Sequence, residues 1–400
     1  MTDPGFDWGL LEPLGAPAVA STSDDALLAA LVEVERALVL AWAGIDAESG
    51  DGSRADASSI AAALRSDDLD RAALLAGART GGVPVIALVE QLRSQAEAAV
   101  PGSGVLVHLG ATSQDILDSA IVLIARRSLR AVRAHLAATG RQLARLADDE
   151  SSTVCLARTL GQHAEPTTAG AQVAGWLDGI SSAIGLLDAV RFPLQLGGAI
   201  GTGLAFEERM AGATRRLRAS VAAELGLDDP ERAWHTDRTP VLAIAEAAAA
   251  ATAVTARLGR EVAFLARTDI GEVRLGRTGG SSAMPHKRNP VDAVLLTANG
   301  LRAPGLLSTV HVAAVSQDAR PPGEWHAEWQ AVRGLLRLAV ESADAAELLA
   351  GDISVDHDAV RRTIASSADL VRDPELVIAV SDGIVRSAII RFHSIEEAGR

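Results

Sequence analysis

Tyrosine is absent from this chain of 400 residues, and aromatic residues make up only 3% of it. Strands favour aromatic and β-branched side chains, and alternation of apolar with polar residues is hard to find here, so the sequence argues against a sheet-based fold. A single cysteine, Cys155, excludes an internal disulfide and fits a reducing compartment. The opening residues, MTDPGFDWGL, lack the pattern of a signal peptide, so we expect a cytoplasmic protein.

Basic charge is also scarce, with 37 Lys and Arg against 51 Asp and Glu and a formal net charge of −14. General nucleic-acid binding needs a basic surface, so the composition argues against it. No set of His, Asp and Glu has the spacing of a zinc site, and we expect no metal. The glycine-rich stretch GGAIGTG (197–203) matches neither nucleotide-binding fingerprint, and it predicts a tight turn near the site without a cofactor.

Apolar residues recur at helical spacing along most of the chain and predict an all-α fold. The longest predicted helix runs from about Ser113 to Asp149, roughly 55 Å at the usual rise per residue. The apolar run around Val241 to Ala256 contains Glu246 and predicts a buried bundle helix rather than a membrane span. Spacings of three and four residues between apolar positions favour helices that pack nearly parallel or antiparallel. We expect these helices to form a long bundle that other subunits complete. The stripes are Leu27, Leu31, Val34, Leu38, Trp42; Ile121, Ala125, Leu129, Val132, Leu136, Leu143, Leu146; Val173, Leu177, Ile180, Ile184, Leu187; and Ala251, Val254, Leu258, Val262, Leu265.

Breaks in this pattern divide the chain into three predicted regions. Residues 1–107 hold short helices separated by Gly, Ser and Asp, and residues 108–345 hold the long helices. Residues 346–400 form a shorter helical tail. We therefore expect an N-terminal helical domain, a central long-helix bundle and a small C-terminal helical domain.

A dense polar stretch, GGSSAMPHKRNP (279–290), interrupts the helices. Asn289 suits an N-cap and Pro290 suits the first helical position, so the stretch predicts a loop that leads into a helix. Glycines at 276, 279 and 280 make the loop pliable, as closure over a substrate requires. A cap alone does not require so many polar residues.

Two other polar motifs are predicted at helix starts. HLGATSQDILDSA (108–120) gives Thr112 and Asp115 the spacing of a capping box. ARTLGQHAEPTTAG (157–170) has Pro166 in a predicted first turn. Helix starts offer free N–H groups, so three converging starts would bind a small molecule with several carboxylates. The alternative for each motif taken singly is an ordinary helix cap.

The stretch 279–290 closely resembles the signature loop of the fumarase/aspartase/adenylosuccinate lyase superfamily, G-S-S-x-M-P-x-K-x-N-P. The two other motifs resemble that superfamily's first and second motifs, in the same order. Three further segments resemble its branch of 3-carboxy-cis,cis-muconate cycloisomerases. These segments are GGVPVIALVEQLR (81–93), WHTDRTPVLAIAEA (234–247) and RPPGEWHAEWQAV (320–332).

The chain departs from the family pattern at three places. Leu160 stands where lyases that split adenylosuccinate or fumarate have histidine, so that acid/base group is absent. Val83 stands where the branch usually has asparagine. The tail after AGDISVDHDAVRR (350–362) is short and diverged.

The resemblance implies a homotetramer whose active sites are shared between subunits, and it implies roles for individual residues. Ser281 transfers a proton at the carbon alpha to a carboxylate, and Lys287 stabilises its alkoxide. His163 is the candidate partner at the lactone-forming end. Lys287 and Asn289 hold a carboxylate and the developing enediolate. The remaining implied substrate contacts are His108, Thr112, Ser113, Thr159, Gln162, Ser282, Met284, Arg238 and Arg320.

The implied activity interconverts 3-carboxy-cis,cis-muconate and its carboxymuconolactone, a step of protocatechuate catabolism through the β-ketoadipate pathway. Two alternatives stay open at this point. One is a lyase of the adenylosuccinate or argininosuccinate type that releases fumarate, against which Leu160 counts. The other is an inactive structural relative, against which Ser281, Lys287 and Asn289 count.

Overall fold

A computed structural model describes residues 10–48, 54–280 and 282–398 of the protein. Over these residues the chain forms fourteen α-helices and four short strands, which confirms the predicted all-α class. The helices are α1 (Ala16–Thr22), α2 (Asp24–Glu48), α3 (Arg54–Ala63), α4 (Arg71–Gly81), α5 (Val85–Ala99), α6 (Ser113–Asp149), α7 (Ala169–Ala189), α8 (Leu204–Arg209), α9 (Ala213–Leu225), α10 (Thr239–Leu265), α11 (Val291–Ala313), α12 (Glu324–Ala350), α13 (His357–Ala365) and α14 (Pro374–Ala398). The strands are β1 (Val154–Thr159), β2 (Gln162–Thr168), β3 (Val273–Leu275) and β4 (Ile353–Val355).

The long helix α6 has the predicted bounds and forms one axis of the bundle. It has 37 residues, so it spans about 55 Å. Helix α12 lies alongside it in the same direction. Trp325 donates to Asp118 near the two helix starts, and His135 contacts Glu347 further along both helices. The middle of the predicted α6 stripe is buried in the common core, at Ala125, Leu129, Val132 and Leu136.

Helices α10 and α11 run antiparallel in close contact. A Cβ atom on Gly259 would lie 2.6 Å from the Ala293 carbonyl oxygen, and one on Gly300 would lie 2.3 Å from the Ala256 Cβ. Glycine at both positions therefore lets the two backbones approach. By length and composition α10 could cross a membrane, but half of its most apolar stretch is buried within the bundle, in line with the predicted bundle helix.

The C-terminal part of the chain returns to the bundle. Strand β4 pairs antiparallel with β3, through Val273 and Val355 among others. Helix α14 packs on α7, and Phe392 lies directly against Gly140 of α6. The proposed division into three regions stays a prediction, and α12 runs across its second boundary.

The second motif forms a β-hairpin, so its predicted helix start was wrong. Pro166 lies in β2 opposite Leu156, where an edge strand tolerates the missing N–H of proline. Leu160 and Gly161 join the strands with φ values of +52° and +80°, which a two-residue hairpin turn of type I′ requires. Helix α7 begins three residues after Pro166, with Thr168 as its N-cap.

The third helix start is also shifted from its predicted position. Helix α11 begins at Val291, and Pro290 rather than Asn289 precedes it. The backbone of Asn289 instead exchanges two hydrogen bonds with Gly279, each 2.9 Å long. These bonds close the signature loop at its base, and the Asn289 side chain donates to the Gly280 carbonyl.

Candidate active site

The first motif begins α6 with the predicted capping box. The Thr112 side chain accepts from the backbone N–H of Asp115, and the Asp115 carboxylate accepts from the Thr112 N–H at 3.1 Å. Each side chain thereby satisfies an N–H group that a helix start would leave unpaired. The first turn of α6 is therefore held in one conformation.

Asp115 is fully buried and also organises the backbone around the helix start. Its carboxylate accepts from Gln195 Nε2 at 3.0 Å, from the N–H groups of Gly197 and Gly198 at 2.9 and 2.8 Å, and from His235 Nε2 at 3.3 Å. The GGAIGTG stretch is a tight turn beside the motif, as predicted, with positive φ at Gly198 and at two further glycines.

Arg320 lies over this helix start. Its Nη2 donates to the Thr112 hydroxyl at 2.8 Å and to the Ala199 carbonyl at 3.4 Å, and its Nε donates to Gln114 Oε1 at 3.1 Å. The guanidinium also lies 5.6 Å from the Trp325 ring centroid. The structure thus brings together two predicted binding residues, Thr112 and Arg320, and fixes a cation at the positive end of a helix.

A buried ionic network supports Gln114 from below. Gln114 donates to Asp118 at 3.1 Å, and Asp118 accepts from Arg238 at 2.8 Å and from Trp325 at 2.8 Å. Arg238 also pairs with Glu328. Burial raises the pKa of Glu328, although the neighbouring guanidinium opposes this.

Arg238 was expected among the substrate contacts, but its side chain is buried. Only 3% of the residue is exposed, and its guanidinium donates to Asp118, Glu328 and the His235 carbonyl. Burial opposes its charge, yet the two carboxylates raise its pKa overall. This placement fits support of Gln114 and Arg320 from the interior.

His108 and Ser113 belong to the same end of the bundle. Ser113 is the first residue of α6 and is half-buried. His108 precedes Thr112 by four residues, and its Nδ1 lies 2.7 Å from a carboxylate oxygen of Glu35 in α2. The motifs did not point to Glu35. Its position beside Leu31, Val34 and Leu38 was nevertheless a signal, because a charged residue on a buried stripe needs a partner.

The β-hairpin carries the residues of the second motif. Thr159 and Gln162 form the last strand pair before the turn, and Leu160 is fully exposed at the tip. Nδ1 of His163 lies 3.0 Å from the Ser367 hydroxyl, which belongs to the C-terminal part of the chain. His163 lines a cavity of about 430 Å³ there, together with Arg158, Arg267, Arg362 and others.

The signature loop follows β3 and is anchored at its base. Arg277 donates its N–H to Asp352 and its guanidinium to Asp292, both at 2.7 Å. Ser281 lies outside the described residues. Of the loop's other predicted site residues, Ser282, Met284 and Lys287 are exposed, whereas Asn289 is half-buried.

The hairpin and the signature loop share one end of the bundle. Arg158 of β1 forms two hydrogen bonds, of 2.7 and 2.8 Å, with Glu272, which directly precedes β3. The hairpin base lies at the C-terminal end of α6, where the N–H of Gly170 donates to the Glu150 carbonyl.

The first motif lies at the opposite end. Helix α6 is about 55 Å long, whereas a hairpin arm of seven residues reaches only about 23 Å. Thr112 and Arg320 therefore cannot meet His163 within one chain. One chain therefore assembles the predicted set in two parts, which lie at opposite ends of α6.

Comparisons with known proteins agree with this architecture. The lyase family matches residues 26–305. Nitrosuccinate lyase of Streptomyces davaonensis is 39% identical over 370 residues, covering 90% of this chain and 77% of that protein. 3-Carboxy-cis,cis-muconate cycloisomerase of Pseudomonas aeruginosa is 36% identical over 394 residues, covering 97% and 83%.

A solved structure supports the same assignment. The 3-carboxy-cis,cis-muconate lactonizing enzyme from Pseudomonas putida matches with a TM-score of 0.80 and 29% identity, covering 96% of this chain and 88% of that one. The fold, the motifs and these relatives agree. The chain therefore belongs to the lyase family, within the superfamily that its signature loop resembles, and is an enzyme of the lyase and cycloisomerase type.

Proposed function

We propose that this enzyme interconverts 3-carboxy-cis,cis-muconate and its carboxymuconolactone in the aromatic catabolism of protocatechuate. The observation that carries the proposal is the fixed cation at the start of α6. Thr112 and Gln114 orient Arg320, while its Nη1 has no hydrogen-bond partner among the described residues. A guanidinium held in this way beside free helix N–H groups can bind a substrate carboxylate.

The proposed chemistry adds a carboxylate across a double bond. In the lactone-forming direction, one substrate carboxylate oxygen forms a bond to the β carbon, the π bond breaks, and the α carbon takes a proton from Ser281. The reverse direction removes that proton and expels the carboxylate. Lys287 and the loop N–H groups stabilise the Ser281 alkoxide, and Asn289 helps to hold the enediolate. No cofactor takes part in this scheme.

The proposed active site is shared between subunits of a homotetramer. The separation of the first motif from the hairpin along α6 supports this proposal, because within one chain Thr159, Gln162 and His163 cannot meet Thr112 and Arg320. Light scattering at micromolar concentration should give the mass of four chains. A monomer that turns over substrate would contradict the shared site. The cytoplasmic location stays a prediction.

Nitrosuccinate elimination is the second candidate. The relative named nitrosuccinate lyase is 39% identical to this chain, against 36% for the Pseudomonas aeruginosa cycloisomerase. Nitrosuccinate also carries two carboxylates, so Arg320 would bind it through the same contact. Loss of a proton and of nitrite from neighbouring carbons leaves fumarate, and Ser281 would remove the proton in this reaction as well.

A substrate panel separates the candidates. Purified protein is mixed in turn with 3-carboxy-cis,cis-muconate, nitrosuccinate and adenylosuccinate, and loss of diene absorbance, nitrite release and fumarate release are followed. We expect the highest kcat/KM with 3-carboxy-cis,cis-muconate. Faster nitrite release would assign the second candidate, and fumarate release from adenylosuccinate would assign the lyase alternative. A folded tetramer without any of these activities would overturn the proposal.

A further inference from the structure

Glu35 is an unusual residue for the inside of this bundle. It lies on α2 and is 0% exposed, and the residues beside it on that face are apolar. One carboxylate oxygen lies 2.7 Å from His108 Nδ1, and the other has no hydrogen-bond partner among the described residues. A buried carboxylate with so few partners destabilises a fold. Stability alone therefore does not explain why the chain places it here.

His108 is held in a strained backbone conformation. Its φ is +64°, in the left-handed region that residues other than glycine rarely occupy. The two residues that follow His108 are held in place by other parts of the fold. Trp42 Nε1 donates to the Leu109 carbonyl at 3.0 Å, and Gly110 lies so close to Phe206 that a Cβ would meet the ring at 2.6 Å. Strain that the surroundings impose on one side chain points to a functional role.

The contact with Glu35 decides which ring nitrogen faces outward. Because Nδ1–H donates to the carboxylate, Nε2 is the nitrogen left for another partner. The His108 side chain keeps 16% of its surface exposed. It precedes Thr112 by four residues, and Thr112 holds Arg320. His108 and the contact between Thr112 and Arg320 therefore both belong to the segment that leads into α6.

We propose that Glu35 is a positioning residue that fixes His108, so that Nε2–H can donate to a substrate carboxylate beside Arg320. This inference rests on the proposed function, since it names a contact in the same site. With both ring nitrogens donating, the imidazole is doubly protonated in the complex. The buried carboxylate then compensates the positive charge that binds the substrate.

The chain contains a matched control for this pair. His135 and Glu347 make the same Nδ1 contact at 2.7 Å, but both side chains are about one-third exposed. His135 lies 23 residues beyond Thr112 along α6, about 35 Å away. Glu347→Gln therefore removes an equivalent pair outside the site.

The test is calorimetric binding of tricarballylate, an unreactive tricarboxylate, to the full-length protein. Glu35→Gln and His108→Asn should each raise its Kd about tenfold or more. The double variant should bind no more weakly than the weaker single variant, because both substitutions break one unit. Glu347→Gln should bind as the wild type does, and Glu35→Asp, which keeps the carboxylate, should recover part of the loss.

Circular dichroism checks that each variant is folded, and ¹⁵N spectra of labelled histidine should show the Nδ1 signal of His108 change in Glu35→Gln. Three results would each overturn the inference. Glu35→Gln could bind tricarballylate as tightly as the wild type, the effects of the two single variants on Kd could multiply in the double variant, or the wild type could show no binding. The substrate panel is independent of this result. A protein that binds tricarballylate through His108 but turns over none of the three substrates would refute the proposed function alone.

Discussion

Glu341 offers a sharp test of the packing, because its carboxylate is buried between α12 and α11. Only 2% of the residue is exposed, and Oε1 has no hydrogen-bond partner among the described residues. Burial, and then the nearby charge of Glu12, raise its pKa from 4.5 to about 7. At about 1.4 kcal/mol per pKa unit, this shift corresponds to about 3 kcal/mol.

The direction in which pH changes the stability follows from proton binding. Between pH 4.5 and 7 the folded state keeps the Glu341 proton and the unfolded state has lost it. The stability that this group contributes is therefore complete below pH 4.5 and is lost as pH rises through 7. Glu341→Gln keeps the shape of the side chain and removes the titration. We expect the variant to match the wild type near pH 4.5 and to exceed it by about 2–3 kcal/mol at pH 8.

Urea unfolding followed by circular dichroism at both pH values measures this difference. Asp344→Asn, a half-buried position on the same helix, controls for the loss of one negative charge. Equal stability differences at pH 4.5 and pH 8 for Glu341→Gln would refute the reasoning. A variant less stable than the wild type at pH 8 would refute it as well.

Two further predictions concern packing and the buried thiol. Gly140→Ala should destabilise the fold by about 1–3 kcal/mol, since the new Cβ would lie 2.1 Å from the Phe392 ring. Gly185→Ala should stabilise the fold by up to about 1 kcal/mol, because no other atom lies within 4 Å of its new Cβ. Urea unfolding midpoints of both variants check these values. Cys155 should react with a thiol reagent only as the protein unfolds, because burial raises its pKa to about 12. Full labelling in native buffer within seconds would contradict its placement.

The helices were predictable because their signals are local. Both the apolar spacing along α6 and the capping-box spacing of Thr112 and Asp115 relate residues that are only three or four positions apart in sequence. The structure confirms the predicted bounds of α6 and its capping box. Neither required knowledge of a distant partner.

The hairpin was not predicted, because Pro166 suits both a helix start and an edge strand. What decides between them is the turn at Leu160 and Gly161, together with pairing along β1. Asn289 escaped for a similar reason, since its backbone bonds to Gly279 across the loop rather than capping α11.

The site itself depends on contacts distant in sequence. Arg320 and Thr112 are 208 residues apart, and His108 and Glu35 are 73 residues apart. The motifs predicted Thr112 and Arg320 as site residues, but no local pattern shows that they touch. Conversely, the motifs suggested one convergent site. The length of α6 shows that, within one chain, the first motif and the hairpin lie too far apart to form it.

The most direct test of the central claim compares the wild type with Ser281→Ala in the diene assay, with circular dichroism on both. A general acid or base contributes roughly 10²–10⁴-fold to the rate. We predict that Ser281→Ala lowers kcat by a factor of at least about 10² while its helical spectrum is unchanged. A folded Ser281→Ala enzyme that keeps kcat within about tenfold of the wild type, a barrier change below about 1.4 kcal/mol, would contradict proton transfer by this serine.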